Sequence, residues 1–486
     1  MSEHQPQRKR VLLLAYYCNP NFGSEPGAGW NRALETAKHF DTWVISHSDN
    51  AHAIRDYFQN HPPILGLNFL FVESPPWENR VLDTRWLMWL VVHRWHFRAF
   101  QVAKRLCNEL ELDLIHQVTP AAYREPGYLW QLDVPFVWGP VGGTQNLPWR
   151  FLLEAGPVRA LSEAMRNITN FAQLHWSRRV KQAAQRAAVL LVANSSIRES
   201  FQQNYGRTGT MTCDVGIKQI VPWLRTPRPD SGPLRILWSG DLEPRKALSL
   251  LLKALAQLPP GVNFELRVLG EGRMERRLKG MAADLGIDSR ITWFGRLPHS
   301  EAIEQCGWAD VFAFTSLRDT LGTVVLEALA NGLPVICLDH QGVRDAVTGS
   351  CGVKVPVTNR RQVVRDLSDA LACLARDPQR RAAMSAAAIE RARDFLWSQL
   401  GSDMLDIYQR VLATRDRKPR REEWSDLSGS FNPPDISNGV SAHQFEKKGH
   451  QPLMQPLATF LHTCRKMARG GKFAETDPNV LRTGEV

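Results

Sequence analysis

The residues best suited to chemistry lie in one stretch, SLRDTLGTVVLEALANGLPVICLD, at 316–339. A buried-strand pattern there gives way to a short loop with Arg318 and Asp319, and a helix pattern follows. Asp319 and Glu327 are eight residues apart, slightly over two helical turns, so both carboxylates can face one cleft along a single helix. The alternative is a capping aspartate before an ordinary amphipathic helix. Unpaired backbone N–H groups at the helix start suit a diphosphate or sugar hydroxyls, and they belong to Thr320, Leu321, Gly322 and Thr323.

The same stretch resembles the donor-binding signature of the retaining family-4 glycosyltransferases with the GT-B fold. That signature is E-x7-E followed by EA-x-A-x-G-x-PV, and the chain reads Asp319-x7-Glu327 with EALANGLPV from Glu327 onward. The resemblance covers roughly residues 10–412, most sharply in the second half. It implies that Glu327 contacts the donor ribose and that Asp319 lies near the transferred sugar. Asp replaces Glu at the first position, which shortens the reach of that carboxylate by one methylene.

A second stretch, WSGDLEPRKALSLLLKAL at 238–255, is similar to the G-R-L-x3-K-G segment of that family. Lys246 matches the lysine that would neutralise the donor diphosphate, and a cation there stabilises charge on the leaving nucleotide in place of a metal. Asp241 stands where the family has arginine, and we expect Arg245 or Arg318 to compensate. A solvated helix start is the alternative explanation for Arg245 and Lys246.

Two further loops follow predicted strands in the second half. Gly270 and Gly272 follow FELRVLG, and Phe294 follows the next strand. In the resemblance these loops border the nucleotide base, and all three residues are expected to bind the donor. The G-x-G alone is equally typical of a plain turn, because the full dinucleotide-binding fingerprint is missing.

The first strand is followed by a glycine-rich turn, FGSEPGAG at 22–29, and then by a helix pattern at about 28–39. Gly23, Gly27 and Gly29 would let the backbone approach a donor phosphate or sugar closely. A tight turn without ligand contact is the alternative. The family resemblance implies that this loop faces the donor phosphates and the acceptor.

Candidate acceptor-side residues follow the later strands of the first half. His116, at the carboxyl end of LDLIHQV, is predicted to point into the cleft, and it resembles a family histidine near the reacting sugar. A satisfied core histidine is an equal alternative. Gly142 and Gly143 indicate a close backbone approach on the acceptor side, and Arg124 is predicted to contact an anionic group.

Strand and helix patterns alternate along the chain, which predicts an α/β protein of two Rossmann-like parallel-sheet domains that face a central cleft. Helical stretches are predicted at about 84–110 and 158–187, among others. The predicted boundaries are an acceptor-side domain at 1–218, a linker at 219–233, a nucleotide-sugar domain at 234–393, a helix packing back on the first domain at 394–414, and a largely disordered basic tail at 415–486.

Composition restricts the partners. The formal charge of +11 favours nucleotides, anionic head groups or pyrophosphate-linked acceptors, and without a nucleic-acid-binding motif we expect no nucleic acid. Eight scattered cysteines without a CxxC pair indicate reduced thiols in the cytosol and no structural zinc. No signal-peptide pattern or membrane-spanning run is present in the sequence. We expect no metal or other cofactor, a cytoplasmic protein and a peripheral contact with the anionic inner face of the plasma membrane. The Trp, Phe and Arg residues of 80–106 suit either that contact or a helix core.

Together these expectations describe a retaining enzyme that moves a hexosyl unit from a UDP- or GDP-sugar to a glycan or lipid-linked acceptor, in surface polysaccharide or glycolipid assembly. A nucleotide-sugar epimerase of the same fold and a non-catalytic sugar-nucleotide-binding scaffold are the alternatives. The departures at Asp241 and Asp319 favour the scaffold, whereas Lys246, Glu327 and the glycine loops argue against it.

Overall fold

The computed structural model describes residues 8–81, 88–221 and 232–416, which form two parallel β-sheets in succession. The first sheet contains β1 (Arg10–Ala15), β2 (Asp41–His47), β3 (Leu67–Val72), β4 (Leu114–Thr119), β5 (Phe136–Val141), β6 (Val189–Val192) and β7 (Thr210–Met211), in the order β3-β2-β1-β4-β5-β6-β7. The second contains β8 (Leu234–Ser239), β9 (Phe264–Leu269), β10 (Ile291–Gly295), β11 (Val311–Phe314), β12 (Val335–Leu338) and β13 (Gly352–Val355), in the order β10-β9-β8-β11-β12-β13.

Helices connect the strands, as the alternating pattern predicted. The first half contains α1 (Ser24–Ala37), α2 (Ala51–Asn60), α3 (Pro76–Val81), α4 (Met88–Glu109), α5 (Pro157–Trp176), α6 (Arg178–Arg186) and α7 (Ser195–Tyr205). The second contains α8 (Leu248–Leu255), α9 (Glu275–Asp284), α10 (His299–Trp308), α11 (Thr323–Ala330), α12 (Gln341–Ala346), α13 (Arg360–Arg376), α14 (Pro378–Ala392) and α15 (Trp397–Asp416). The predicted fold class is confirmed.

Each sheet has a switch point, where the chain returns from an edge strand to the centre of the sheet and later strands are added on the other side of the first one. In the first sheet it lies between β1 and β4, and in the second between β8 and β11. Ligands of open α/β sheets bind beyond the carboxyl ends of the strands at such points. Helices cover both faces, so the central strands are apolar throughout, and the residues of β1 from Val11 to Ala15 are at most 1% exposed.

Each half buries side chains in the core of the other. Leu147 and Phe151, which belong to the first half, pack in the core of the second sheet. In the opposite direction, α15 returns to the first sheet, where Met404 and Tyr408 pack with Leu13. The two sheets are therefore joined by hydrophobic packing on two segments as well as by the chain connection.

The helical stretch predicted at 158–187 corresponds to two helices, α5 and α6, which are separated at Ser177. Ser177 leaves the helical conformation (ψ 101°), and its hydroxyl accepts a hydrogen bond from the Val180 N–H at 3.4 Å. A serine at this position ends one helix and caps the next.

Several predicted boundaries fall on residues outside the described ranges. Residues 222–231 of the predicted linker and 417–486 of the predicted tail lie there, as do 82–87 at the start of the helix predicted at 84–110. The helix predicted at 394–414 corresponds in position to α15.

The helix predicted to start at residue 28 begins earlier, at Ser24, so the glycine-rich stretch is its first turns. A Cβ on Gly29 would lie 2.0 Å from the Tyr17 carbonyl oxygen, and one on Gly27 would lie 2.4 Å from that of Phe22. The approach that requires glycine at these positions is therefore to the chain's own backbone, which brings α1 against the loop after β1.

We predict that Gly29→Ala lowers the melting temperature, because the new methyl group cannot be accommodated without moving the Tyr17 backbone. A loss of about 1–3 kcal/mol is typical of such overpacking, which corresponds to roughly 2–4 °C for each kcal/mol in a domain of this size. Gly280→Ala is the matched control. Gly280 lies within α9, with no atom within 4 Å of an added Cβ, so alanine should stabilise the helix by up to about 1 kcal/mol. Equal melting temperatures for the two variants would contradict this assignment.

Candidate functional site

A cavity of about 500 Å³ lies between the two sheets, at the switch points of both. The first half lines it with residues that follow β1, β4 and β5, and the second half with the turns that follow β8 and β11. The charged lining residues are Glu25, Arg32, Asp214, Asp241, Arg245, Lys246 and Asp319. The two sheets approach closely here, since a Cβ on Gly142 would lie 3.3 Å from Thr320 Oγ1 across the cleft.

Asp319 is the centre of the charge network in the cavity. Its Oδ2 accepts a hydrogen bond from Lys246 Nζ, and Arg245 Nη1 lies 3.6 Å from the same oxygen. Arg245 Nη2 also lies 3.5 Å from Asp241 Oδ2. A short 3₁₀ turn, Pro244–Lys246, precedes Ala247 at φ 48° and positions both cations. Of the two cations proposed to offset Asp241, Arg245 is the one that contacts it.

The loop before α11 forms one wall of the cavity. Gly322 adopts φ 98°, and a Cβ there would lie 2.7 Å from the Phe314 ring, so the tight turn needs glycine. The helix starts at Thr323 without a side-chain cap. Asp319 thus lies in the loop, as predicted, and Glu327 lies on the helix, so the two carboxylates do not share a single helix. The backbone positions predicted to bind the donor line the cavity, namely Thr320, Leu321, Gly322 and Thr323.

Glu327, on the second turn of α11, lies outside the cavity lining. Its Oε1 is 2.9 Å from His299 Nε2. The hydrogen bond that the Glu327 carboxylate accepts from His299 raises the pKa of His299. The predicted role of Glu327 in ribose binding stays a prediction.

Two carboxylates in the cavity wall were missed by sequence reasoning. Glu25 Oε1 accepts a hydrogen bond from the Ala121 N–H at 2.5 Å, and burial raises the pKa of Glu25. Burial, then the neighbouring Glu25 charge, raises the pKa of Asp214 to about 7. The Arg32 side chain, also missed, donates to the backbone oxygens of Leu400 and Cys213 at 2.9 and 3.0 Å. No local motif marked these residues, since the cavity collects them from separate segments.

The prediction that His116 points into the cleft is wrong. His116 lies within β4, three residues before the strand ends, and is fully buried. Its Nδ1 is 2.5 Å from the Tyr408 hydroxyl and its Nε2 is 2.5 Å from the Gly139 carbonyl oxygen. Burial lowers its pKa to about 3. His116 is a core histidine that links β4 to β5 and α15, whereas Val118 and Thr119 at the end of β4 line the cavity.

Three arginines gather behind the loop that carries Asp319. Arg318 Nη2 donates to Glu163 Oε1 at 2.8 Å, and Arg124 Nη2 donates to Asn170 Oδ1 at 3.0 Å. Burial, then the charges of Arg318 and Arg124, lowers the pKa of Arg166 to about 10. Within the described ranges, Arg166 makes no ion pair. Arg166 and Arg318 both interact with the Glu163 carboxylate, and we name Arg124, Arg166 and Arg318 the arginine group.

The remaining predicted donor residues do not line the cavity. A Cβ on Gly270 would lie 2.0 Å from the Gly240 carbonyl oxygen, and one on Gly272 would lie 2.6 Å from that of Leu242, so both allow the loops after β8 and β9 to pack closely. Phe294 packs against the buried hydrophobic cluster that includes Phe312 and Leu333. Gly23 is the residue before α1. Gly143, predicted on the acceptor side, lines the cavity with Gly142.

The described residues include no group of three or more His, Cys, Asp or Glu side chains placed to hold a metal ion. Their seven cysteines are all free thiols. Of their helices, none combines the length and apolar character needed to cross a membrane.

The second half of the chain matches a known family. Residues 223–391 match the family described as glycosyl transferases group 1, and this range includes both stretches that carry the charge network. Over these residues the chain is similar to the glycosyl transferases group 1 family.

Curated relatives align with the chain over part of their length. A D-inositol 3-phosphate glycosyltransferase of Pseudarthrobacter chlorophenolicus is 30% identical over 240 residues, which cover 46% of this chain and 56% of the relative. A GDP-mannose-dependent monoacylated alpha-(1-6)-phosphatidylinositol monomannoside mannosyltransferase of Corynebacterium glutamicum is 27% identical over 279 residues, covering 53% of this chain and 71% of the relative. The chain spans about half the length of the first relative.

A solved structure shares the architecture. The crystal structure of HepE from Anabaena in complex with UDP-glucose superposes with a TM-score of 0.54 at 18% identity, over 82% of this chain and 99% of that one. At this identity the likeness shows the fold alone. It supports the predicted GT-B arrangement of two Rossmann-like sheets.

We predict that Asp214→Asn flattens the dependence of stability on pH. The folded state holds a proton on Asp214 up to about pH 7, whereas the ordinary value is 3.8. Between these values the unfolded chain binds fewer protons than the folded one, so wild-type stability falls as pH rises, by at most about 1.4 kcal/mol for each pH unit. The variant should lack this fall and gain stability relative to wild type at pH 8.

Melting temperatures from pH 4 to 8 measure the effect. Asp284→Asn, at an exposed position of α9, is the matched control and should follow the wild-type profile. Parallel profiles for wild type and Asp214→Asn would show that Asp214 releases its proton at an ordinary pH.

Proposed function

We propose that this chain is a retaining glycosyltransferase that binds a nucleotide-diphosphate sugar in the cavity and transfers the hexosyl unit to a phosphate-bearing glycan or lipid-linked acceptor. The observation that carries the proposal is that two cations, Arg245 and Lys246, line the same cavity as the start of α11. Gly322 makes the tight turn that precedes this helix. Cations and helix-start amides together form a binding site for a diphosphate.

In this proposal Lys246 and Arg245 stabilise the charge that develops on the leaving diphosphate as the bond to the sugar breaks. Asp319 contacts both cations and lines the same cavity, where its carboxylate can accept hydrogen bonds from sugar hydroxyls. The acceptor proton passes to a leaving phosphate oxygen, so Asp319 is not assigned as a nucleophile. The sheets enclose the reacting atoms and limit access of water, which favours transfer over hydrolysis.

The arginine group supports the phosphate on the acceptor. Arg166 and Arg318 interact with one carboxylate, Glu163 of α5, and the charge of Arg124 also acts on Arg166. Arginine binds phosphate through paired hydrogen bonds. The names of both relatives include a phosphate-bearing inositol, as D-inositol 3-phosphate in one and phosphatidylinositol monomannoside in the other.

The choice between a UDP- and a GDP-sugar, the transferred sugar and the cytoplasmic location remain predictions. HepE is described with UDP-glucose, and the Corynebacterium glutamicum relative is named as GDP-mannose-dependent. The donor panel below therefore includes both nucleotides.

The first test measures donor binding and turnover. Full-length protein is incubated without added metal with UDP-, GDP- and ADP-sugars, and thermal shift and nucleotide release are recorded. One donor should stabilise the protein, and Lys246→Gln should weaken its binding by about 10–100-fold, the range for losing a hydrogen bond to a charged group. Glu327→Ala should also weaken it. Lys279→Gln, which removes an exposed lysine paired with Glu275, is the matched control. A thermal shift without nucleotide release would favour the non-catalytic scaffold, and no shift with any donor would contradict donor binding in the cavity.

The same assay then tests the acceptor with myo-inositol phosphate against myo-inositol. The phosphorylated compound should accelerate nucleotide release, and Arg166→Gln should remove that acceleration while the donor-induced thermal shift is kept. Equal acceleration by both compounds, or an unchanged response in Arg166→Gln, would contradict a phosphate-bearing acceptor without contradicting donor binding.

A further inference from the structure

Helix α5 distributes its side chains in the opposite way to an ordinary surface helix, with polar residues inside and apolar residues outside. Its inner side carries polar and charged residues, including Asn170, which is fully buried, and Glu163, which pairs with Arg318. Its outer side is apolar, and Trp176 is 75% exposed. The exposed apolar residues of α5 are Leu161, Met165, Ile168, Phe171 and Trp176. The first four recur at the three- to four-residue spacing of a helix face, and Trp176 follows at the end of the helix.

This outer side continues onto α4 and α6. Phe97 of α4 is exposed, and its ring lies 5.5 Å from that of Tyr128. The guanidinium of Arg179, near the start of α6, lies 4.7 Å over the same Tyr128 ring and 2.8 Å from His93 of α4. The outer face, as we name it, consists of the exposed residues of α4, α5 and α6.

The charge on the outer face is mainly positive. Across the three helices the acidic residues are Glu163, which is paired, and Glu109, the last residue of α4. The exposed basic residues of α4 and α6 include Lys104, Arg105, Arg178, Lys181 and Arg186. A helix with exposed apolar and aromatic residues beside Lys and Arg is typical of attachment in the plane of a membrane interface, and each basic residue adds attraction to anionic lipid.

We propose that the outer face docks on the surface of an anionic lipid bilayer, with α5 lying flat in the interface. The stripe from Leu161 to Trp176 is about 22 Å long at 1.5 Å per residue, enough for five large apolar side chains to enter one leaflet. The inner side of α5 carries Arg166 and Glu163, so docking brings the arginine group next to the membrane.

Charge disfavours two other occupants. A second copy of this chain in a twofold dimer would place like-charged basic residues opposite one another. The chain beyond residue 416 contains more Lys and Arg than Asp and Glu, so it does not complement the face either. An anionic bilayer matches both the apolar and the basic character of the surface.

The test is co-sedimentation of the full-length protein with two kinds of vesicle. One consists of phosphatidylcholine alone, and the other contains about 30–40% phosphatidylglycerol, which makes its surface anionic. We expect binding to the anionic vesicles, weakened about tenfold by Met165→Gln with Ile168→Gln and by Arg178→Gln with Lys181→Gln. Leu65→Gln, at an exposed leucine before β3, is the matched control and should bind as wild type. Neither donor nor acceptor is present, so the result is independent of the proposed activity. No binding, or equal binding by all variants, overturns the proposal.

A fluorescent probe on Met165→Cys, in a chain with Cys373→Ser and Cys464→Ser, separates the other occupants. Its emission should shift to the blue only when anionic vesicles are added. A blue shift without vesicles that grows with protein concentration would assign the face to a second copy. A blue shift without vesicles at every concentration would assign it to a segment of the same chain. Either result overturns docking on lipid.

Discussion

The cavity exists because each half of the chain buries part of itself in the other half's core. Phe151, from the first half, packs in the core of the second sheet, and Tyr408 of α15 packs in the core of the first sheet. These contacts hold the switch points of the two sheets on opposite sides of one cleft, close enough for Gly142 to face Thr320. Without this exchange of core residues, the charged residues from the two halves would line separate edges.

Once the cleft is formed, its chemistry follows from how charge is balanced inside it. Asp319 neutralises Lys246 and part of Arg245, while burial favours the protonated forms of Glu25 and Asp214. The buried carboxyls therefore oppose an incoming anion less than their number suggests. The arginine group adds positive charge behind the same loop, with Glu163 as the shared carboxylate.

Much of the architecture could be predicted from the sequence, because strands covered on both faces are uninterrupted apolar runs and the helices between them have their own period. The stretches around Lys246 and Asp319 were identified because their residues are local in sequence. His116 was placed wrongly because β4 runs three residues beyond it, so its side chain packs in the core and not at the end of the strand that borders the cavity. Gly29 was assigned to a ligand because its close neighbour, the Tyr17 carbonyl, is visible only in the fold. Asp214 and Arg32 reach the cavity through long-range packing that no motif records.

Backbone hydrogen exchange of the loop before α11 tests most directly whether the cavity binds the donor diphosphate. Amide exchange of Thr320–Val324 should slow when a stabilising UDP- or GDP-sugar is added to the full-length protein, since these N–H groups line the cavity and the helix starts without a side-chain cap. Exchange of Gly349 and Ser350, exposed residues of another loop, should not change. Donor binding that leaves the exchange of Thr320–Val324 unchanged would contradict the account and place the diphosphate elsewhere.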